Sequence, residues 1–412
     1  MDYKLLKEKL FDISILLMFM LPLFQSKLRL TCIALFFLSV ILCYTKQKVE
    51  FNPKRIIING SIYLIIALSI IYSDNSEYAL KKLETMSSLF VFPIIFSILP
   101  SSKIQRLYEN RNRYMFVYVI AIVVLNLGFF IYHFGHYKST LLTHFVEVTR
   151  IAQGPYNIHP IYLSMHIGVA IIFTFFLLKK ASKQKTIILL LADIILIAFL
   201  WLLLKKGPII GLGIAFFVFV FLQKNRQLWI MFFSFLLISI ITILCVPKLK
   251  FKFAELSEIE NINTGELTST NIRFSIYHSA IKVFKKGPIL GQGIGDYRDE
   301  LIKAYEEDSK VLFEGEYNSH NQYLSFLISL GLIGFIVFIF ILSYNFIIAL
   351  KYKNQELILL LVFYSFVMSF ENILEREDGV LFFSFFVGVF SLFSYNKESR
   401  SLLERNKKVI DN

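Results

Sequence analysis

Twelve apolar runs, each of about 15 to 25 residues and separated by short polar segments, constrain this chain more than any motif in it. They lie near 11–25, 28–44, 56–72, 83–99, 114–134, 159–178, 186–204, 208–222, 227–246, 321–349, 355–373 and 380–395. A helix rises about 1.5 Å per residue, so runs of this length cross a hydrocarbon layer about 30 Å thick. The expected fold class is all-α: a polytopic transmembrane helical protein of about 12 spans. Composition agrees, because 56% hydrophobic residues, 44 of the 412 being Phe, exceed what a water-soluble core requires. The first run has the length of a signal peptide, but no small-residue cleavage site follows it. "PLFQSKLRL" leads straight into the second run, so the first is expected to persist as a mature helix. Cys32, Cys43 and Cys245 all fall inside apolar runs, without metal-ligand spacing, and are expected to be small packing residues.

Lys and Arg set the expected orientation. With the N-terminus inside, the inner segments hold 24 of the 43 basic residues and the short outer loops nine, an asymmetry that puts both termini in the cytoplasm. The other ten lie in one long segment, 247–320, which the positive-inside rule does not govern. The formal charge of +13 is therefore an orientation signal and an affinity for anionic lipid. No nucleic-acid motif accompanies it, and no nucleic-acid partner is expected.

The chain is expected to be a single integral membrane domain, 1–412, with 247–320 inserted between spans nine and ten as a helical loop on the outer, periplasmic side. In "IRFSIYHSAIKVFKK", Ile272, Ile276, Ala280, Val283 and Phe284 recur at helical spacing, which predicts an amphipathic helix at the membrane surface. "GPILGQGIGDY" ends it. A second helix near "DYRDELIKAYEEDSK" is expected to carry charge on most faces.

Next comes "YNSHNQYLSFLISLGLIG", residues 317–334, a polar segment with one histidine running into an apolar helix. At 100° per residue, His320, Leu324, Leu327, Gly331 and Gly334 share one stripe, whose glycines would admit a neighbouring helix. The residues alone leave two readings open. His320 is either a functional group at the mouth of a span or an interfacial polar residue beside a capping Ser319 or Asn321.

In its motifs the sequence resembles the O-antigen ligases and related O-antigen polymerases of bacterial envelopes. Their signature is His, then Asn, Ser or Gln, nine residues, Gly, two residues, then Gly, Thr or Val. His320, Asn321, Gly331 and Gly334 fill every position. "IRFSIYHSAIKVFKKGPILGQGIGDY" looks like the family's Arg-led outer helix and Gly-Pro turn, with Arg273 in the arginine position. "IHPIYLSMH", with His159 and Pro160, and "FENILEREDGVLFF", with Glu371, Glu375 and Arg376, look like the form seen in Bacteroidetes members. These motifs cover about the last 260 residues; the first 150 match only as generic spans. Where family ligases carry a Ser-Arg-Gly-like step, this chain reads "LLLKKGPIIGL", so Lys205 and Lys206 keep the charge but lose the bidentate fork of an arginine.

The resemblance implies a glycosyltransferase, without cofactor, that moves a glycan from undecaprenyl-pyrophosphate to a hydroxyl acceptor such as lipid A-core. The site would lie at the periplasmic face of the bacterial inner membrane. Any such reaction must stabilise a departing pyrophosphate and take a proton from the attacking hydroxyl. Arg273, with Lys206 and Arg376, offers cationic donors for the first task, and His320 offers an imidazole for the second. Lys205, Asn321, His159 and Glu371 complete the expected substrate-contacting set. A single in-line attack predicts inversion and no covalent sugar intermediate. The acidic runs "ELSEIE" and "YEEDSK" lack an Asp-any-Asp step, so a metal-independent enzyme is expected. "GQGIGDY" lacks the preceding strand of a nucleotide-binding loop, and its glycines are expected to make a turn that lets backbone approach substrate or membrane. Asp193 receives no role. A polymerase differs mainly in its acceptor. A transporter would show two similar halves and paired broken helices, and the sequence displays neither.

Overall fold

A computed structural model describes residues 3–44, 49–137, 145–146, 158–256 and 267–410. Among them the regular elements are all helical, with no strand. The first group comprises α1 (Tyr3–Phe19), α2 (Ser26–Leu42), α3 (Pro53–Ser69), α4 (Ser76–Met86), α5 (Ser88–Ser97) and α6 (Ser101–Tyr137). A second comprises α7 (Pro160–Leu177), α8 (Lys183–Leu203), α9 (Lys206–Gln223) and α10 (Arg226–Cys245). Four shorter helices follow, α11 (Pro247–Ala254), α12 (Ser269–Lys286), α13 (Tyr297–Asp308) and α14 (Lys310–Gly315). The chain then forms α15 (Gln322–Lys351), α16 (Gln355–Met368) and α17 (Glu377–Ile410).

Local chemistry sets several boundaries. Proline opens α3 and α7, where its missing N–H has no partner to lose. The side chains of Asn75, Thr268, Asn321 and Asn354 accept from backbone N–H groups and cap α4, α12, α15 and α16. Left-handed residues, Leu204 and Lys224, stop α8 and α9.

Each of the twelve expected runs contains a helix, and among the described residues eight helices are long and apolar enough to cross a membrane: α3, α6, α7, α8, α9, α10, α15 and the first part of α17. The remaining four, α1, α2, α5 and α16, have 17, 17, 10 and 14 residues. Eight of the expected spans are thus present as long apolar helices, and the other four are shorter, for a physical reason. Hydropathy measures avoidance of water and does not separate lipid contact from contact with other helices. In α16 the consecutive residues Leu357 to Leu361 are all buried, so that helix is apolar because protein surrounds it. α10 is the opposite case, apolar with none of its residues buried.

Between α10 and α15, α12 buries Ile276, Ala280 and Val283 completely, as its spacing predicts. α13 departs from expectation. Rather than carrying charge on most faces it buries Tyr297, Leu301, Ala304 and Tyr305, one stripe at positions i, i+4, i+7 and i+8.

α15 is discontinuous, and this overturns the stripe drawn through His320 and the two glycines. Gly331 has φ 63° and ψ −164°, outside helical values, and His320 precedes the helix with φ 44°. The turn after α12 fills the break. Gln292 N and Gly293 N donate to the carbonyls of Ile328 and Ser329, each at 2.9 Å, and Leu332 N donates to Pro288 O at 2.9 Å. A Cβ on Gly331 would collide with the Ile289 carbonyl, so only glycine serves there. Of the glycines of "GQGIGDY", Gly291 and Gly293 bring backbone against α15 while Gly293 and Gly295 also lie against Ser73 and Asn75, and Tyr72 Oη secures the turn from α3's side by donating to Leu290 O at 2.8 Å.

Candidate functional site

Two segments meet at the end of the bundle where α15 begins and α16 ends, and they pair residue by residue. Asn321 N donates to Asn372 Oδ1 at 2.7 Å, and Leu374 N donates to Gln322 Oε1 at 2.8 Å. Ser319 and Asn372 exchange hydrogen bonds through their side chains. Within this pairing His320 faces Glu371, with Nδ1 3.4 Å from Oε2. Tyr277 Oη, from α12, reaches across both segments to the carbonyls of His320 (3.4 Å) and Ser369 (3.1 Å).

Glu371 lies almost out of solvent, with its side chain 9% exposed against 25% for His320. Burial alone would raise its carboxyl pKa. The hydrogen bond from His320 and the charges of His320, Arg273 and His159 outweigh that and hold it below the usual carboxylate range. At neutral pH Glu371 is therefore an acceptor only. The hydrogen of the pair must sit on His320 Nδ1.

Arg273 adds a guanidinium to this group. Its charge acts on Glu371, Tyr277 and Lys206, which places it among all three. Its Nε is buried without a hydrogen-bond partner among the described residues. A buried donor in that state is costly unless an acceptor arrives.

Lys206 opens α9, aimed by left-handed Leu204 and extended Lys205. Its Nζ donates to Glu255 Oε2 at 2.9 Å and Thr270 Oγ1 at 3.2 Å. Glu255 also accepts from Lys252 and Ser269, at 2.8 and 3.1 Å. Burial pushes the Glu255 carboxyl up, but the hydrogen bonds from Lys252 and Lys206 prevail and hold it low. Gly207 follows, where an added Cβ would stand 3.4 Å from Phe370 Cβ, so the Lys-Lys-Gly step packs beside Glu371.

A second carboxylate, Glu375, ties the two segments together. It accepts from Lys82 at 2.9 Å, from Asn372 at 3.1 Å, from Gln322 at 3.5 Å, and from the hydroxyls of Tyr297 and Ser325. Burial would raise its pKa, yet Lys82 and these donors keep it below the usual range.

The structure thus gathers His320, Arg273, Glu371, Lys206 and His159 at one end. His159 caps α7, with Ile161 N donating to its Nδ1 at 3.4 Å, and its ring is exposed. Lys205 is half-buried at the α9 cap. The Asn321 side chain is engaged in capping, accepting from Leu324 N at 3.1 Å. Arg376 lies in a neighbouring pocket with Lys81, Lys82 and Arg298. Sequence reasoning left Glu371 in the substrate-contacting set, and its hydrogen-bond partner in the structure is His320. It missed Tyr277, Asn372, Lys82 and Tyr297, which enter from 43 to 293 residues away along the chain. Of the two expected acidic runs, Ser257 to Glu260 lie outside the described residues. Among the described residues no three His, Cys, Asp or Glu side chains converge.

Residues 191–339 match the model of a family described as O-Antigen ligase. The match includes Lys206, Arg273, His320, Asn321 and Gly331, and ends before Glu371 and Arg376. A Haemophilus influenzae protein described only as uncharacterized is 25% identical over 367 residues, 82% of this chain and 86% of that protein.

Proposed function

We propose, from the premise that residues 191–339 form an O-antigen ligase family domain, that this multi-pass membrane protein is a ligase. It transfers a glycan from undecaprenyl-pyrophosphate to a hydroxyl of a glycolipid acceptor. The observation that carries the reading is the His320–Glu371 pair beside the unpartnered Arg273 Nε. Glu371, ionised, accepts from Nδ1 and fixes the ring, so Nε2 takes the acceptor's proton as its oxygen attacks the anomeric carbon. The bond from that carbon to the pyrophosphate oxygen breaks, and the leaving group departs with both electrons. Arg273 and Lys206 receive that charge in a low-dielectric setting, Lys206 exchanging Glu255 for phosphate oxygens. One in-line attack inverts the anomeric centre. The positive charge comes from side chains, so the proposed reaction requires no metal. The Lys and Arg asymmetry supports placing this end of the bundle in the periplasm, with both termini in the cytoplasm.

A strain carrying His320→Ala tests the assignment. The expected result is normal abundance of the protein in the membrane, uncapped glycolipid, and accumulation of long carrier-linked chains. Single-repeat chains would instead assign a polymerase. Unaltered glycans would remove His320 as the base.

A further inference from the structure

Next to His320 lies a pocket of about 430 Å³ that the reaction above does not use. It is within the span of small-molecule sites, about 300–1,000 Å³. Asn318, in its lining, accepts from His320 N at 3.0 Å, and Glu375, also in its lining, accepts from Asn372, which pairs with the segment that holds His320.

Its charges are unevenly committed. Four cations line it, Lys81, Lys82, Arg298 and Arg376, with three carboxylates, Glu316, Glu375 and Glu377. Lys82 is paired with Glu375 at 2.9 Å and Arg298 with Glu316 at 3.1 Å. Glu377 is answered from outside the lining, by Ser26 Oγ at 3.0 Å and Arg29 at 3.7 Å. Lys81 and Arg376 are left exposed, without an ion-pair partner among the described residues. The pocket therefore presents two free cations to whatever enters, and the half-buried Tyr78 gives it an aromatic wall against which a sugar ring can pack.

We propose that this pocket binds an anionic sugar of the acceptor, one bearing a phosphate or a carboxylate, and so brings its hydroxyl to His320. The inference rests on the reading of His320 as the base and names the acceptor class for it. The donor's pyrophosphate is assigned elsewhere, to Arg273 and Lys206, so the two anions of the reaction meet different cations.

The test is a titration of the purified full chain in detergent micelles, read by ligand-observed NMR and requiring no turnover. Glucose 6-phosphate and glucuronate are compared with glucose, and inorganic pyrophosphate stands for the donor's leaving group. The charged sugars should bind and glucose should not. Lys81→Ala and Arg376→Ala should each weaken that binding about tenfold, Lys81→Arg should restore it, and Arg273→Ala should leave it unchanged. Both substituted side chains are exposed, so folding is undisturbed. Charged sugars that bind no better than glucose, or as well to the Lys81→Ala/Arg376→Ala protein, would overturn the proposal. So would pyrophosphate binding that follows Lys81 and Arg376 rather than Arg273. Because His320→Ala should bind the charged sugars normally, a failure here is distinct from a failure of the base assignment.

Discussion

Replacing Glu371 by Gln isolates what the carboxylate does for His320. Gln keeps the size of the side chain and an oxygen for the Nδ1 hydrogen, and it loses the charge. Before the acceptor's proton is taken the loss is small; once it arrives, imidazolium faces a neutral amide instead of a carboxylate. For unit charges 3.4 Å apart, Coulomb's law gives about 5 kcal/mol at an effective dielectric of 20 and about 1 kcal/mol in bulk water. His320 is 25% exposed and Glu371 9%, which places the pair toward the lower half of that range, about 2 kcal/mol, or roughly thirtyfold in rate. The effect should fall on kcat. Glu371 also offsets part of the positive charge of Arg273 and His159, so its removal should leave the KM for the pyrophosphate-linked donor unchanged or lower. The assay is single-turnover glycan transfer by purified protein, with donor and acceptor varied separately. A kcat within twofold of wild type, from protein equally abundant and folded, would refute the orientation of His320 by Glu371. A raised donor KM with normal kcat would refute the role in another way, by making Glu371 a binding group.

Two further substitutions probe the frame. Gly331→Ala should destabilise the protein by more than about 2 kcal/mol, because its φ of 63° and the Ile289 carbonyl both exclude a Cβ; Gly128→Ala, with open space around its Cβ, should be neutral in the same thermal-unfolding measurement. Glu375→Gln should cost about 3 kcal/mol at neutral pH, the low end for a buried pair, by leaving Lys82, whose side chain is 15% exposed, without its counter-ion. The pH dependence follows from two opposite shifts: Glu375 is held low, so its contribution is present above the usual carboxylate pKa and is lost as pH falls through its folded value. Lys82, which burial would lower but Glu375 raises, contributes below the usual lysine pKa and loses that as pH rises past its own folded value. The gap between wild type and Glu375→Gln in denaturant midpoint should thus stay flat from about pH 6 to 9 and close on either side. A gap that grows on acidification would contradict the assignment.

Much of the helical frame was legible because apolar spacing is a local property. Ile276, Ala280 and Val283 announce the buried face of α12 without reference to anything else in the chain. The stripe of Tyr297, Leu301, Ala304 and Tyr305 in α13 was equally available, but the surrounding Asp, Glu and Lys residues hid it from a reading weighted toward charge. Hydropathy could not tell α16, wrapped in protein, from α10, whose residues are all at least partly exposed. The motif located His320 and Arg273, and no local signal could pair Lys82 with Glu375 across 293 residues. The break at Gly331 escaped for a related reason. A glycine inside an apolar run is compatible with a continuous helix, and only the segment from Pro288 to Gly293, some 40 residues earlier, makes the broken form the better hydrogen-bonded one.

That break also answers why a histidine stands at the mouth of α15. A β-substituted residue at φ 44° is strained by about 1–3 kcal/mol, and it persists only where its surroundings over-determine it. They do so from both sides. Asn318 takes the His320 N–H, Asn372 takes the next one, and Tyr277 takes hold of the His320 carbonyl. Tyr277 belongs to α12, and the turn that ends α12 is the one locked into α15 at Gly331, eleven residues beyond His320. α12 therefore touches α15 at two fixed points, one at the imidazole and one at the break. Arg273 lies one helical turn before Tyr277, so its distance from His320 is set by the same two attachments. A glycine buried in a span thus positions a guanidinium and an imidazole at its end, which gives Gly331→Ala a second expected consequence: loss of transfer activity beyond what the loss of folded protein explains.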